Sequence, residues 1–150
     1  CGVMVKDYGD IMQYDAVYAE KARRIATLTC DISELLLAEA IPVSNIGQGA
    51  SVAFHNPCTL QHGQRVVNAV ETILQRQGYQ LLEIDGAQDC CGSAGGYSFL
   101  QRAISQRLLT EKIFFLEVMK PDVIVTANVG CQTHLQSAST VPVTHWIDLL

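Results

Sequence analysis

Two adjacent cysteines followed by glycine, Cys90-Cys91-Gly92, limit what this chain can become more than any other stretch. They lie between Cys58 and Cys131, separated from them by residues 59–89 and 92–130, so three separate segments each bring sulfur. Each segment follows a short apolar run, and the first two precede a helical pattern. If three such loops meet at one end of a compact domain, four thiol groups converge. That is chemistry for a metal ion or an iron–sulfur cluster, not for packing alone.

The apolar runs predict strands at Ser51–His55, ended by the turn signal Asn56-Pro57, at Tyr79–Ile84, and at Val123–Ala127, the clearest buried strand. Val141–Thr144 reads as a short edge strand that tolerates Pro142, with a helix starting at His145. Helical spacing runs from Asp15, a cap, to Leu28, with Tyr18, Ala22, Ile25 and Leu28 on one stripe. Further helices are expected over Ile32–Ala40, capped by Asp31 or Ser33, and over Gln64–Gln77, with Val66, Val70, Ile73 and Leu74 inward. A long helix reaches Met119, with Leu100, Ile104, Leu108 and Phe115 as its core stripe. Strands alternating with helices predict an α/β, three-layer fold: a mostly parallel sheet flanked by helices. Ligands of such folds bind outside the carboxyl ends of the strands, and all three cysteine segments emerge there.

Composition narrows the class. The 150 residues suit one domain, and a net charge of −5 argues against an extended basic nucleic-acid surface. No apolar run reaches the roughly 18 residues of a membrane-spanning helix. Six cysteines in a chain this rich in core residues point to metal or redox chemistry in a reducing, cytoplasmic compartment, not to a disulfide framework.

Around the cysteines the wording is familiar. Phe54-His55-Asn56-Pro57-Cys58-Thr59-Leu60, the Cys90-Cys91-Gly92 triplet and Asn128-Val129-Gly130-Cys131-Gln132-Thr133-His134-Leu135 resemble the cysteine-rich CCG repeat. That repeat occurs in the B subunit of heterodisulfide reductase, the iron–sulfur subunit of glycolate oxidase, and related lactate-utilisation and glycerol-3-phosphate dehydrogenase subunits. The last segment most resembles the glycolate oxidase branch. The resemblance implies a full repeat over residues 51–150, preceded in 1–50 by the tail of an earlier copy and a helical connector. Cys1-Gly2-Val3-Met4 is similar in position to Cys131-Gln132-Thr133-His134, so Cys1 is expected to serve a different site, with further sequence upstream.

By the same resemblance, the chain is part of a multi-subunit 2-hydroxy-acid dehydrogenase, an electron-transfer or docking domain not catalytic by itself. Flavoprotein partner subunits carry the FAD, a ferredoxin-like domain lies upstream in the same chain, and association with the inner face of the cytoplasmic membrane is peripheral, through the complex. The implied ligands are Cys58, Cys90, Cys91 and Cys131. Where the repeat often closes with a further cysteine, this chain has His134, a candidate metal ligand. Four cysteines and a histidine suit either a [4Fe–4S] cluster or zinc. The alternatives to electron relay are a heterodisulfide-reductase-like redox site and a structural zinc module. His55 and His62 flank Cys58 and read first as structural residues that can also tune or ligate a metal, His145 carries no such signal, and Cys30 reads as a small buried hydrophobe. Gly92, Gly95 and Gly96 lack the Rossmann spacing and read as residues allowing a tight turn and close backbone approach.

Overall fold

The computed structural model describes residues 1–39 and 41–150. Four parallel strands form one sheet in the order β2-β1-β3-β4: β1 Ser51–His55, β2 Gln80–Leu81, β3 Val123–Thr126 and β4 Val143–His145. The central pair, β1 and β3, runs in register from Val52↔Val123 to His55↔Thr126. Both are sealed on two faces, which is why they read as continuous apolar runs.

Strand alternation divides the core. Val52 and Phe54 of β1 and Val125 of β3 pack with Val70, Ile73 and Leu74 of α5 (Ala69–Arg76) and with Trp146. Ala53 and Ile124, one residue out of phase, pack on the opposite face with Leu109 and Leu116 of α7 (Arg102–Glu117) and Leu135 of α8 (Val129–Gln136). Helices on both faces of a parallel sheet make the expected three layers.

Several local expectations change. The strand at Tyr79–Ile84 shortens to Gln80–Leu81: it lies at the sheet edge, and beyond Leu82 the chain turns away to deliver Cys90. The helix over Gln64–Gln77 starts only at Ala69, because Thr59–Gln64 forms a wide π-type turn and Arg65 and Asn68 take left-handed conformations. After two short helices, α1 (Gly2–Lys6) and α2 (Tyr8–Ile11), the Asp15–Leu28 helix begins at Ala19 (α3, Ala19–Leu28), with Asp15 accepting from the amides of Val17 and Tyr18 in the preceding turn. Of its stripe only Ala22 is buried, and Tyr18, Ile25 and Leu28 are exposed. The helix over Ile32–Ala38 (α4) opens on Asp31 in a reciprocal capping box with Glu34. Its expected end, Ala40, lies outside the described residues. Cys30 is exposed, not buried.

The long helix also differs. It breaks at Gln101 into Tyr97–Leu100 (α6) and α7, and its inward stripe is Ser105, Leu109, Lys112 and Leu116. Leu100 and Phe99 are more than 80% exposed. The expected stripe is off by one residue because two inward positions are polar: both bind backbone of the Cys90-Cys91 loop, so apolar periodicity hides them.

Candidate metal centre

Three loops from the carboxyl ends of β1, β2 and β3 converge on a cleft of about 570 Å³ lined by Cys58, Cys90, Cys91 and Cys131, with Pro57, Ser93 and Asn128 among its walls. Side-chain bonds stitch the loops pairwise. Gln61 donates to the Gln88 carbonyl (3.1 Å), Asn128 Nδ2 to Thr59 Oγ1 (3.3 Å), and Ser93 Oγ to the Gly130 carbonyl (3.0 Å). Each cysteine is thus held from its own loop and from a neighbouring one.

Cys58 opens the wide turn whose Leu60 is buried in the core. Cys131 sits in the first turn of α8, where Asn128 accepts from the amides of Gly130 (2.9 Å) and Cys131 (3.2 Å). The middle loop is gripped by α7. Ser105 Oγ donates to the Gly92 carbonyl (2.8 Å), and the buried Lys112 donates to the carbonyls of Gly86 (2.7 Å) and Ala87 (2.9 Å). The Gly92 amide points at Cys90 Sγ (3.3 Å).

The sulfurs differ in character. Cys91 is pushed down to about 4, first because the Cys131 thiol donates to it, with further help from His55 and the Ser93 amide against the cost of burial. Cys131 is correspondingly pushed up by that same donation, by burial and by the neighbouring sulfurs. Burial, then Cys90, raises Cys58. Cys91 and Cys131 thus titrate as a pair that shares a thiol proton, and metal loading would expel the thiol protons that remain. Lys112 lies in the field of these sulfurs; burial lowers its pKa, while Asp89 and Cys91, Cys58 and Cys90 act to raise it. Four sulfurs on one cleft match, in number and type, the donors of an iron–sulfur cluster or a tetrahedral zinc.

The histidines separate. His134 lies one turn beyond Cys131, with Nε2 3.3 Å from Ser105 Oγ, and is not among the cleft-lining residues. His62 is exposed and lines a different depression with Phe54 and Glu71. His145 caps the final 3-10 turn, accepting from the Ile147 amide. His55 is fully buried, and one ring nitrogen, Cys91 Sγ and Cys131 Sγ all lie within 4.8 Å of one another. Cys1 and Cys30 are exposed and away from the cleft lining. Asn128 has a sequence signal, a capping residue three before Cys131; Ser105 and Lys112 have none.

A model of the CCG cysteine-rich domain family matches residues 52–136. The glycolate oxidase iron-sulfur subunit of Escherichia coli (strain K12) is 44% identical over 150 residues, all of this chain and 37% of its own length. Lactate utilization protein A of Anoxybacillus flavithermus is 27% identical over 134 residues, and that of Geobacillus thermodenitrificans 28% over 137, each alignment taking in 87% of this chain and 56% of the relative. The chain thus spans between 37% and 56% of the length of these relatives.

Proposed function

The chain belongs to the CCG cysteine-rich domain family, and we propose that it is the cysteine-rich module, over residues 51–150, of an oxidoreductase iron–sulfur subunit of the glycolate oxidase type. Residues 1–50 are then the tail of a preceding repeat and its connector. The observation that carries the reading is the meeting of Cys58, Cys90, Cys91 and Cys131 on one cleft at the carboxyl edge of the sheet. Both groups of relatives are proteins of oxidoreductive or lactate-utilising systems by name, which supports an electron-carrying role. A bound cluster supplies one-electron storage. The protein's own part is to hold four sulfurs from three stitched loops, to donate the Gly92 amide to Cys90, and to keep Lys112 behind the loop as a nearby buried amine. Partner flavoprotein subunits would deliver the electrons, and no group lining this cleft is a convincing acid or base for a 2-hydroxy acid.

Iron and acid-labile sulfide measured on anaerobically purified protein test the reading. Both are expected in the wild type and depleted in Cys91→Ser. One zinc and no iron would overturn the electron-transfer role in favour of a structural zinc module.

A further inference from the structure

His55 is the last residue of β1, and strand alternation turns it, with Ala53, to the face that carries Cys91, Leu109 and Leu135. It has no solvent exposure, and among the described residues neither ring nitrogen has an oxygen or nitrogen partner or a well-formed hydrogen bond; the group close enough to interact with the ring is the Cys91 sulfur. Leaving a buried imidazole unsatisfied costs about 1–3 kcal/mol. Its β3 register partner, Thr126, is no remedy: that hydroxyl is likewise buried and unpartnered. What the ring does have close by is sulfur, with Cys91 and Cys131 inside the same 4.8 Å circle. The ring is absent from the cleft lining while both sulfurs are part of it, so the imidazole approaches them from the sheet side. An unsatisfied buried nitrogen beside two thiol sulfurs is the donor arrangement of a mixed nitrogen–sulfur metal centre, which thiophilic and borderline ions such as zinc, cobalt and iron accept.

We propose that His55 is a ligand of this centre, an imidazole nitrogen acting with the sulfurs of Cys91 and Cys131. The proposal deepens the metal-centre reading and rests on it for the identity of the metal, not for the ligand itself. It also puts the nitrogen donor in the first cysteine segment instead of at His134, whose ring contacts Ser105.

The test uses intact protein labelled with 15N-histidine, stripped of metal and loaded with Co(II) alone. Pulsed EPR is expected to detect a directly bound histidine nitrogen in the wild type and in His134→Ala, and none in His55→Ala. Co(II) binding should weaken by more than about tenfold in His55→Ala. Should that variant lose its far-UV circular dichroism, His55→Gln takes its place. Absence of bound nitrogen in the wild type, its loss in His134→Ala with survival in the His55 variant, or only the weak coupling of an N–H···S contact would each overturn the assignment. Because cobalt is the probe, the result stands whether the purified protein carries iron, zinc or neither, and failure of the iron–sulfur reading is recognised separately by metal analysis.

Discussion

Gly92 has φ +88°, and a Cβ placed there would stand 2.5 Å from the Ser105 carbonyl oxygen and 3.2 Å from Leu108 Cβ. Both the conformation and the space therefore require glycine after the cysteine pair: α7 packs directly on the loop's backbone. Gly92→Ala is expected to destabilise the protein by about 1–3 kcal/mol in urea denaturation and to lower its iron content. Gly96 is a useful contrast, since it has an ordinary helical conformation (φ −59°) and no atom within 4 Å of its would-be Cβ. Gly96→Ala should stay within about 0.5 kcal/mol of the wild type. The sequence assigned turn and close-approach roles to all three glycines of this stretch; the close approach belongs to Gly92 alone. Only the position of α7 distinguishes them.

At the scale of the element, α7 is a clamp as much as a core helix. Its inward stripe spends two of four positions on polar groups that bind the cysteine loop: Ser105 to Gly92, and Lys112 to Gly86 and Ala87. Lys112→Met keeps the volume but leaves two partly buried carbonyls short of donors, and is expected to cost about 1–3 kcal/mol in urea denaturation. A change below about 0.5 kcal/mol would show that the carbonyls find other donors. The far end of α7 performs a second fastening. The half-exposed Glu117 accepts from Ser139 Oγ, from Thr140 through both its amide and hydroxyl, and from the Val141 amide, fixing the turn into β4. Burial works against its ionisation, but these hydrogen bonds outweigh it and hold the carboxyl below its usual value. Because the folded-state pKa is depressed, the stabilisation is complete above the unfolded value near about 4.3 and is lost as pH falls through the lower, folded value. The melting-temperature gap between wild type and Glu117→Ala should therefore be wider at pH 7 than at pH 3, and an unchanged gap would exclude the carboxylate as its source. The helix was readable as a helix, but its inward face was not, since a stripe containing Ser105 and Lys112 shows no apolar period.

At the scale of the whole molecule, two apolar clusters on the two faces of the sheet hold the fold, and among the cysteines of the cleft only Cys91 belongs to them as a buried member. The sheet's own apolar packing therefore holds the frame, and a metal bound at the cleft would fasten loops onto it. Stripping the bound group should leave the far-UV circular dichroism nearly intact while lowering the melting temperature. Rebinding at 100 times its dissociation constant would restore about 2.7 kcal/mol. Collapse of the secondary structure on stripping would instead indicate a metal-dependent fold. Among the described residues no helix is long and apolar enough to cross a membrane. The alternation of apolar runs with helical patterns determined, from sequence alone, a parallel α/β sheet with three cysteine segments at one edge, because short-range periodicity and turn residues fix which strand each loop follows. Which groups meet those sulfurs is a matter of long-range register. The phase of β1 carries His55 to the buried side of Cys91, α8 leaves His134 against Ser105, and the rotation of α7 sends a lysine into the core beneath the cysteine pair. Residues 55, 91, 112 and 131 come from different elements, so no local pattern in the chain could place them together; only the packing of helices on both faces of the sheet did.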